Sequence, residues 1–346
     1  METSQAKTRK LLLGIDLGTS RTVVMSNRGA KAMVRSVVGY PKDIIGVKIL
    51  NRTSSFGDDA LNKRSYMNLF FPLRDGVLKE ASERDTEAAR ELLQHVISLA
   101  DPKPEDEICC ILGVPARASQ SNKNQLLKIT DGLVDLAMVI SEPFMVAYGL
   151  NKLTNAIIID IGAGTVDICA MRGTIPAAED QLSLLKAGNF INEVLSNAIG
   201  QAYPDVQMNP LLAERIKEQH GFVGEPPGKA VVTLRSAGKP VPHDLTGELR
   251  SACEAIVPEI LEGVKQLITV FDPEDQEEAL RNVILAGGGS RLHGLDVMVA
   301  EGLRDYGEVS VSRVSDPDHA GCAGALKLAT ELPAEYWSQV GDTSRG

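Results

Sequence analysis

The hydrophobic pattern near the start of the chain predicts two strands joined by a tight polar turn. An apolar run at 11–15 leads into Asp16, and a run rich in β-branched residues follows the turn at 22–25. Gly18 lets an anion approach the backbone, and neighbouring N–H groups can form a concave anion-binding nest. Asp16 would repel that anion unless Mg²⁺, held through water, lies between them. The candidate phosphate and metal residues of this hairpin are Asp16, Gly18, Thr19 and Ser20.

The same pattern recurs at 156–170, about one domain length further along the chain. A hairpin with Asp and Gly in its turn is common, and turn chemistry alone explains a single copy. Two copies a domain apart indicate two similar halves that face each other across a cleft. Each half would offer one aspartate and one glycine-rich turn to the same ligand. The candidate residues of the second hairpin are Asp160, Gly162, Gly164 and Thr165.

Strand-like and helix-like patterns alternate along the rest of the chain, which predicts an α/β fold with mixed sheets. The predicted elements include a strand at 32–39 and helices at 83–100, 125–136 and 248–271, with a further helix that begins at 142 and is capped by Ser141. The polar connector 151–155 is the best domain boundary. The predicted domains are 1–150 with 320–346, carrying a small inserted lobe at about 41–75, and 151–319, carrying another at about 223–247.

The composition and charge of the chain argue against several classes of function. The chain of 346 residues is 43% hydrophobic and 24% charged, as expected for a globular protein with a sizeable core. Its net charge of −10 argues against direct nucleic-acid binding. The polar N-terminus and the lack of a run of about 20 apolar residues predict no signal peptide and no membrane insertion. The five cysteines form no CxxC pair and the histidines are scattered, which predicts reduced core thiols, no zinc site and a cytoplasmic location.

One further glycine run bears on nucleotide binding, whereas two common nucleotide-binding patterns are absent or incomplete. The P-loop pattern is absent, and the second hairpin lacks the third glycine of a dinucleotide fingerprint and continues as a strand. A glycine run between a buried strand and a helix is either a tight turn or a flat backbone beside a purine or ribose. Its candidate residues are Gly287, Gly288, Gly289 and Ser290.

Several segments, taken in order, resemble motifs of one superfamily. They are 14–22, 108–116 with 142–149, 157–168, 282–295 and 320–328. Together they resemble the actin superfamily, which includes actins, bacterial MreB, ParM, heat-shock chaperone ATPases and sugar kinases. Segments 56–64 and 71–77 resemble filament-forming actins. Segments 36–43 and 113–119 and the ending around 336–337 are similar to the magnetosome-associated bacterial actins. The resemblance implies an actin-like ATPase fold, with two similar domains around a nucleotide cleft.

The resemblance also implies roles for individual residues. Asp16 and Asp160 match the carboxylates that hold the Mg²⁺–ATP complex, and Glu142 matches the residue that positions or deprotonates the attacking water. Without the resemblance, Glu142 is better explained as an acidic residue favoured at a helix N-terminus. The residues implied to contact ribose or adenine are Gly188, Glu214 and Lys217. The chain departs from the pattern after Gly188, where no acidic residue follows, and at Arg21 in the first turn.

The function implied is that of an ATP-dependent cytoskeletal protein. Subunits with complementary front and back surfaces would polymerise head to tail, and hydrolysis of ATP to ADP would permit disassembly. The implied partners are further copies of the chain and magnetosome-associated adaptor proteins, in cytoplasmic filaments alongside magnetosomes. The alternative is a monomeric small-molecule kinase on the same fold. A chaperone ATPase is disfavoured because no C-terminal substrate domain follows.

Overall fold

The computed structural model describes residues 9–79, 82–333 and 335–337. The chain separates into two compact units. The first unit contains the residues up to Asn151 together with those from His319 onward, and the second runs from Lys152 to Asp318.

The strands of the described residues are numbered in chain order. Those of the first unit are β1 (Arg9–Leu17), β2 (Arg21–Ser26), β3 (Lys31–Arg35), β4 (Val38–Pro41), β5 (Ser55–Phe56), β6 (Met67–Phe70), β7 (Leu73–Arg74), β8 (Val77–Leu78), β9 (Asp106–Val114) and β10 (Leu136–Ser141). Those of the second unit are β11 (Thr154–Ile161), β12 (Val166–Arg172), β13 (Gln181–Leu184), β14 (Val231–Ser236), β15 (Lys239–Asp244), β16 (Val283–Ala286) and β17 (Val311–Arg313).

The helices are numbered in the same way. Those of the first unit are α1 (Ile44–Leu50), α2 (Gly57–Asn62), α3 (Glu83–Ser98), α4 (Gln120–Thr130), α5 (Glu142–Leu150) and, from the end of the chain, α12 (Ala320–Glu331). Those of the second unit are α6 (Gly188–Ala202), α7 (Pro210–His220), α8 (Thr246–Glu254), α9 (Val257–Ile268), α10 (Gln276–Leu280) and α11 (Leu295–Leu303).

Each unit contains a five-stranded mixed sheet, and the two sheets have equivalent topologies. The first has the order β10-β9-β1-β2-β3 and the second the order β17-β16-β11-β12-β13 when read in the matching direction. In each, three strands form an antiparallel meander and two more are added parallel to its first strand. This equivalence confirms the predicted α/β fold with two similar halves.

Alternating side chains on the first sheet pack against helices on both of its faces. Leu13 and Leu112 pack in one cluster with Leu92 of α3. Ile111, next along β9, packs instead with Met145 of α5. This second cluster also contains buried residues of α12 and of the described C-terminal segment, namely Ala325, Ala329 and Trp337. Helices on both faces explain why β1 and β9 are apolar over most of their length.

The second unit has its own core, built in the same way from its sheet and helices. Ile157, Ile159 and Ile168 of the sheet cluster with Leu195 of α6 and Val264 of α9. All five cysteines of the chain are buried free thiols, as predicted.

Three predicted elements differ from those observed. The strand predicted at 32–39 is interrupted at Ser36 and Val37, so that β3 and β4 belong to different sheets. The helix predicted at 248–271 is two helices, because Pro258 lies in the first turn of α9 and cannot donate a hydrogen bond to the preceding turn. The helix predicted at 125–136 begins earlier, at a capping box formed by Ser119 and Asn122, and ends at Thr130.

The helix predicted to begin at 142 is α5, with Ser141 at its start as predicted but without the capping hydrogen bond. Pro143 in the first turn suits that position, because its missing N–H would have no partner within the helix.

Candidate functional site

The first hairpin is closed by a short backbone contact at its turn. The Gly18 N–H donates to the carbonyl of Arg21, with N and O 3.1 Å apart. A Cβ at Gly18 would lie 2.7 Å from that carbonyl oxygen, so only glycine fits the turn without a shift of the chain. Thr19 and Ser20 form the loop between these residues, and both are partly exposed.

Asp16 is the last residue but one of β1 and lies beside the start of α12. Partial shielding from solvent raises the pKa of Asp16 from 3.8 to about 6. A Cβ built on Gly321, in the first turn of α12, would lie 3.4 Å from the Asp16 carboxylate. A desolvated carboxylate beside a helix turn of small residues suits a hydrated cation, because a positive charge favours the ionised form.

Glu142 lies close to Asp16 through a shared neighbour. Gly113 of β9 pairs directly with Asp16 of β1 in the parallel ladder. A Cβ at Gly113 would lie 3.1 Å from Cγ of Glu142. The side chains of Asp16 and Glu142 therefore lie on the same face of the sheet, with Asp16 beside Gly113 and Glu142 over it. The sequence reasoning did not single out Gly113, although a glycine at the end of a buried strand was a usable signal.

The second hairpin repeats the closure of the first. The Gly162 N–H donates to the carbonyl of Thr165 over 2.9 Å, and a Cβ at Gly162 would lie 3.2 Å from that oxygen. Gly164 and Thr165 are buried in the turn. In the sequence, Asp160 precedes Gly162 by two residues, as Asp16 precedes Gly18.

Asp167 is a candidate residue that the sequence reasoning missed. It is directly opposite Asp160 in the β11–β12 pair, so the two side chains lie on the same face of the hairpin. Asp167 is only 1% exposed, and it accepts a hydrogen bond of 2.5 Å from the Ser183 hydroxyl. The signal was available in the sequence, because the two aspartates are equally far from the centre of the turn.

The start of α6 lies against the second hairpin. The N–H groups of Gly188 and Asn189 donate to the carbonyls of Gly162 and Ala163, at 3.1 and 2.8 Å. Lys217 of α7 donates from Nζ to the Gly188 carbonyl over 2.8 Å. A side chain at position 188 would meet both the Gly162 carbonyl and the lysine at 3.1 Å. These contacts bring together three predicted site residues, Gly162, Gly188 and Lys217.

Glu214 is the other predicted residue of α7, one helical turn before Lys217. It is half-buried, on the same helix that places Lys217 beside the second hairpin.

The glycine turn after β16 packs directly against the second hairpin. Gly287 has φ +70°, and a Cβ there would lie 2.3 Å from Asp160 Oδ1. A Cβ at Gly289 would lie 2.2 Å from the side chain of Ile161, whereas one at Gly288 would meet open space. Ser290 is buried and donates from Oγ to the Gly287 carbonyl over 2.7 Å. The turn therefore needs glycine at 287 and 289 in order to pack against the second hairpin, and it lies next to the predicted site residue Asp160.

The described residues contain neither a cluster of metal-binding side chains nor a helix suited to cross a membrane. No group of three or more His, Cys, Asp and Glu side chains in that part of the chain is arranged to hold a metal ion. Among the same residues, no helix combines the length and the apolar character that a membrane crossing requires.

Comparisons with known proteins give the chain its family. The model of the MreB/Mbl protein family matches residues 10–335. Actin-like protein MamK of Paramagnetospirillum magneticum is 55% identical over 340 residues, which cover 98% of this chain and 98% of that protein.

Two solved structures are also similar to this chain. A structure described as a MamK double helical filament has a TM-score of 0.92 at 54% identity and covers 94% of this chain and 100% of its own. A non-polymerising MamK mutant bound to AMPPNP has a TM-score of 0.73 at 53% identity, with the same coverage. The chain therefore belongs to the MreB/Mbl family and, within it, to the actin-like MamK proteins.

Proposed function

We propose that the protein is an actin-like filament protein that binds and hydrolyses ATP. The observation that carries this proposal is the repeated hairpin: two turns closed by the same Gly N–H to C=O contact, each with an aspartate two residues before the glycine. Support comes from the relatives, since one similar structure is a double helical filament and another contains AMPPNP, an ATP analogue. The comparisons do not favour the small-molecule kinase alternative.

Both hairpins would bind the phosphates of one ATP. Because the turn glycines have no Cβ, phosphate oxygens would approach the backbone closely, and Thr19, Ser20 and Thr165 would supply hydroxyls. Asp16 and Asp160 would hold Mg²⁺ through its water ligands, as the desolvated carboxylate of Asp16 suits a hydrated cation. When bound, Mg²⁺ neutralises the charge on the phosphates.

The remaining residues would divide the work of binding and hydrolysis. Glu142, close to Asp16 beside Gly113, would orient the attacking water and accept its proton. Lys217 and Gly188 would contact the ribose and phosphates, with Glu214 nearby on α7. The flat backbone at 287–290 would lie beside the adenosine, where Gly288 has open space.

Filament formation would depend on the nucleotide. ATP would favour the polymerising conformation, and hydrolysis to ADP would permit disassembly. In the cell, the filaments would run in the cytoplasm alongside magnetosomes and bind adaptor proteins there. Fluorescence microscopy of the tagged chain tests the location: diffuse signal in cells that contain magnetosomes would contradict it.

The central experiment measures sedimentation and phosphate release with ATP and Mg²⁺, with ATP and EDTA, and without nucleotide. We expect the protein to pellet and to release phosphate to water only when ATP and Mg²⁺ are both present. Equal pelleting in all three conditions, with no phosphate release, would refute the proposal.

A further inference from the structure

Ser36 occupies the break between β3 and β4. It contacts the turn of the first hairpin, residues 18–21, which we call the phosphate turn. Its Oγ donates to the Gly18 carbonyl over 2.6 Å, and its backbone N–H donates to the Ser20 carbonyl over 2.9 Å. The residue is 1% exposed. One buried residue from outside the hairpin therefore holds two carbonyl groups of a four-residue turn.

The direction of a third hydrogen bond follows from proton counting. Ser36 Oγ and Thr22 Oγ1 are 2.9 Å apart, and both side chains are buried. A hydroxyl carries one proton, and that of Ser36 is directed at the Gly18 carbonyl. The Thr22 hydroxyl must then donate to Ser36, which makes a continuous chain from Thr22 through Ser36 to Gly18. Such chains strengthen each bond by mutual polarisation.

These contacts determine where the N–H groups of the turn point. In a trans peptide the C=O and N–H groups point in opposite directions across a rigid plane. Because the carbonyls of Gly18 and Ser20 point toward Ser36, the N–H groups of Thr19 and Arg21 point away from it. Anion-binding nests work only when their N–H groups converge on the ligand side.

We infer that Ser36 is a positioning residue for the phosphate turn: it orients the peptide groups on either side of Thr19 and Ser20 before the nucleotide arrives. The inference rests on the proposed function, because the ligand is the phosphate of ATP. Groups already oriented bind more tightly, since no ordering cost remains at the moment of binding. Ser36 itself does not contact the nucleotide.

The alternative is that Ser36 only anchors the loop, and the chain offers a matched control for that role. Ser26 lies at the other end of β2, is 4% exposed and accepts hydrogen bonds from the N–H groups of Arg28 and Ala30. It therefore stabilises a different turn, the one that joins β2 to β3. Ser36→Ala and Ser26→Ala remove the same hydroxyl from similarly buried sites.

The test measures the affinity of the full chain for ATP with Mg²⁺ by fluorescence titration, together with KM and kcat for phosphate release and the unfolding temperature. We expect Ser36→Ala to weaken ATP binding about tenfold and to raise KM with little change in kcat. Ser26→Ala should lower the unfolding temperature comparably and leave the affinity within about twofold of the unmodified chain.

Ser36→Cys covers the case in which the alanine variant does not fold. The thiol fills nearly the same volume but is a weak donor and cannot make a 2.6 Å contact, so affinity should again fall. The inference would be overturned if a folded Ser36 variant, alanine or cysteine, bound ATP with unchanged affinity. An equal loss of ATP affinity in Ser26→Ala would also overturn it. If the unmodified chain binds no ATP, the proposed function fails and the inference falls with it.

Discussion

At the scale of single residues, glycines allow two of the proposed functional carboxylates to lie close to neighbouring backbone. Gly113 allows Glu142 to lie over the strand next to Asp16, and Gly287 allows a backbone turn to touch the Asp160 carboxylate. A Cβ at position 287 would be 2.3 Å from that carboxylate. Glu142 and Asp160 can therefore be packed as they are only because the neighbouring position is a glycine. The sequence does not show which glycine lies beside which carboxylate.

The first prediction concerns Glu142. Glu142→Ala should still bind ATP and assemble, but should release phosphate about 100-fold more slowly, because a general base contributes about 10²–10⁴-fold. Filaments of this variant should persist after dilution. Phosphate release and light scattering measure the two effects.

Glu83 provides the control for that experiment. Like Glu142 in α5, it is an acidic residue in the first turn of its helix, α3, but it is exposed whereas Glu142 is partly buried. Glu83→Ala should release phosphate at the normal rate. A normal rate in Glu142→Ala would contradict the role assigned to this carboxylate.

A second prediction concerns the ion pair of Arg28 and Asp106. The guanidinium donates two hydrogen bonds, at 2.6 and 2.5 Å, and lowers the pKa of Asp106 to about 2. A carboxylate with a lowered folded-state pKa stabilises the protein above pH 4, and the effect is lost as pH falls toward 2. Asp106→Asn should therefore be less stable than the unmodified chain at pH 7, and the gap should narrow below pH 4.

Urea unfolding between pH 3 and pH 7 measures that gap. Asp101→Asn is the control, because Asp101 is an exposed carboxylate that pairs with Lys103 over 2.5 Å. A gap for Asp106→Asn that stays constant with pH would show that the ion pair does not cause it.

At the scale of elements, α5 and α12 pack closely because glycines face each other. A Cβ at Gly324 of α12 would lie 1.8 Å from the Met145 carbonyl, and one at Gly149 of α5 would lie 3.1 Å from Gly324 Cα. Lys327 of α12 also donates to the Tyr148 carbonyl at the end of α5 over 3.1 Å. Since α5 begins at Glu142, this packing helps to hold the proposed catalytic carboxylate.

The third prediction tests this packing. Gly324→Ala should destabilise the chain by about 1–3 kcal/mol or more, because the methyl group overlaps backbone that cannot move aside cheaply. Gly200→Ala is the control: it lies exposed in α6 with open space around it, and should stabilise by about 0.5–1 kcal/mol. Thermal unfolding measures both. Equal stability of the two variants would contradict close packing of α5 on α12.

Element boundaries show where local sequence patterns were sufficient and where they failed. The predicted helix at 83–100 matches α3 closely, because Ser82 caps its start and the apolar spacing is helical. The strand predicted at 32–39 is wrong because the chain passes to a different sheet after Ser36, whose hydroxyl bonds the turn at residues 18–21, a contact that periodicity cannot report. The single helix predicted at 248–271 is wrong because Pro258, in the first turn of α9, cannot donate a hydrogen bond to the preceding turn.

At the scale of the whole molecule, the two equivalent sheets make a single-ligand hypothesis testable. Each unit contains one hairpin of the repeated kind, with an aspartate two residues before its turn glycine, within a five-stranded mixed sheet. If both hairpins bind one nucleotide, the chain should bind one ATP and not two. Changes in either unit should then weaken the same binding event.

The fourth prediction follows. Calorimetric titration should give one ATP per chain, and Asp16→Ala and Asp160→Ala should each lower the affinity for Mg²⁺–ATP by about 10–100-fold, the usual effect of removing an outer-shell metal partner. Asp160→Ala should also slow phosphate release. Two ATP molecules per chain, or a loss confined to one variant, would show that the hairpins act separately.

The sequence by itself determined the α/β class, the two hairpins with their aspartates and glycines, and the family resemblance. These follow from contacts between residues close in the chain, such as Gly18 with Arg21 and Gly162 with Thr165. Only the tertiary structure decided which distant segments meet. It placed Glu142 beside Gly113, Gly287 against Asp160, and Ser36 behind the first turn. Such contacts arise when sheets and helices pack, and no local pattern of apolar and polar residues encodes their partners.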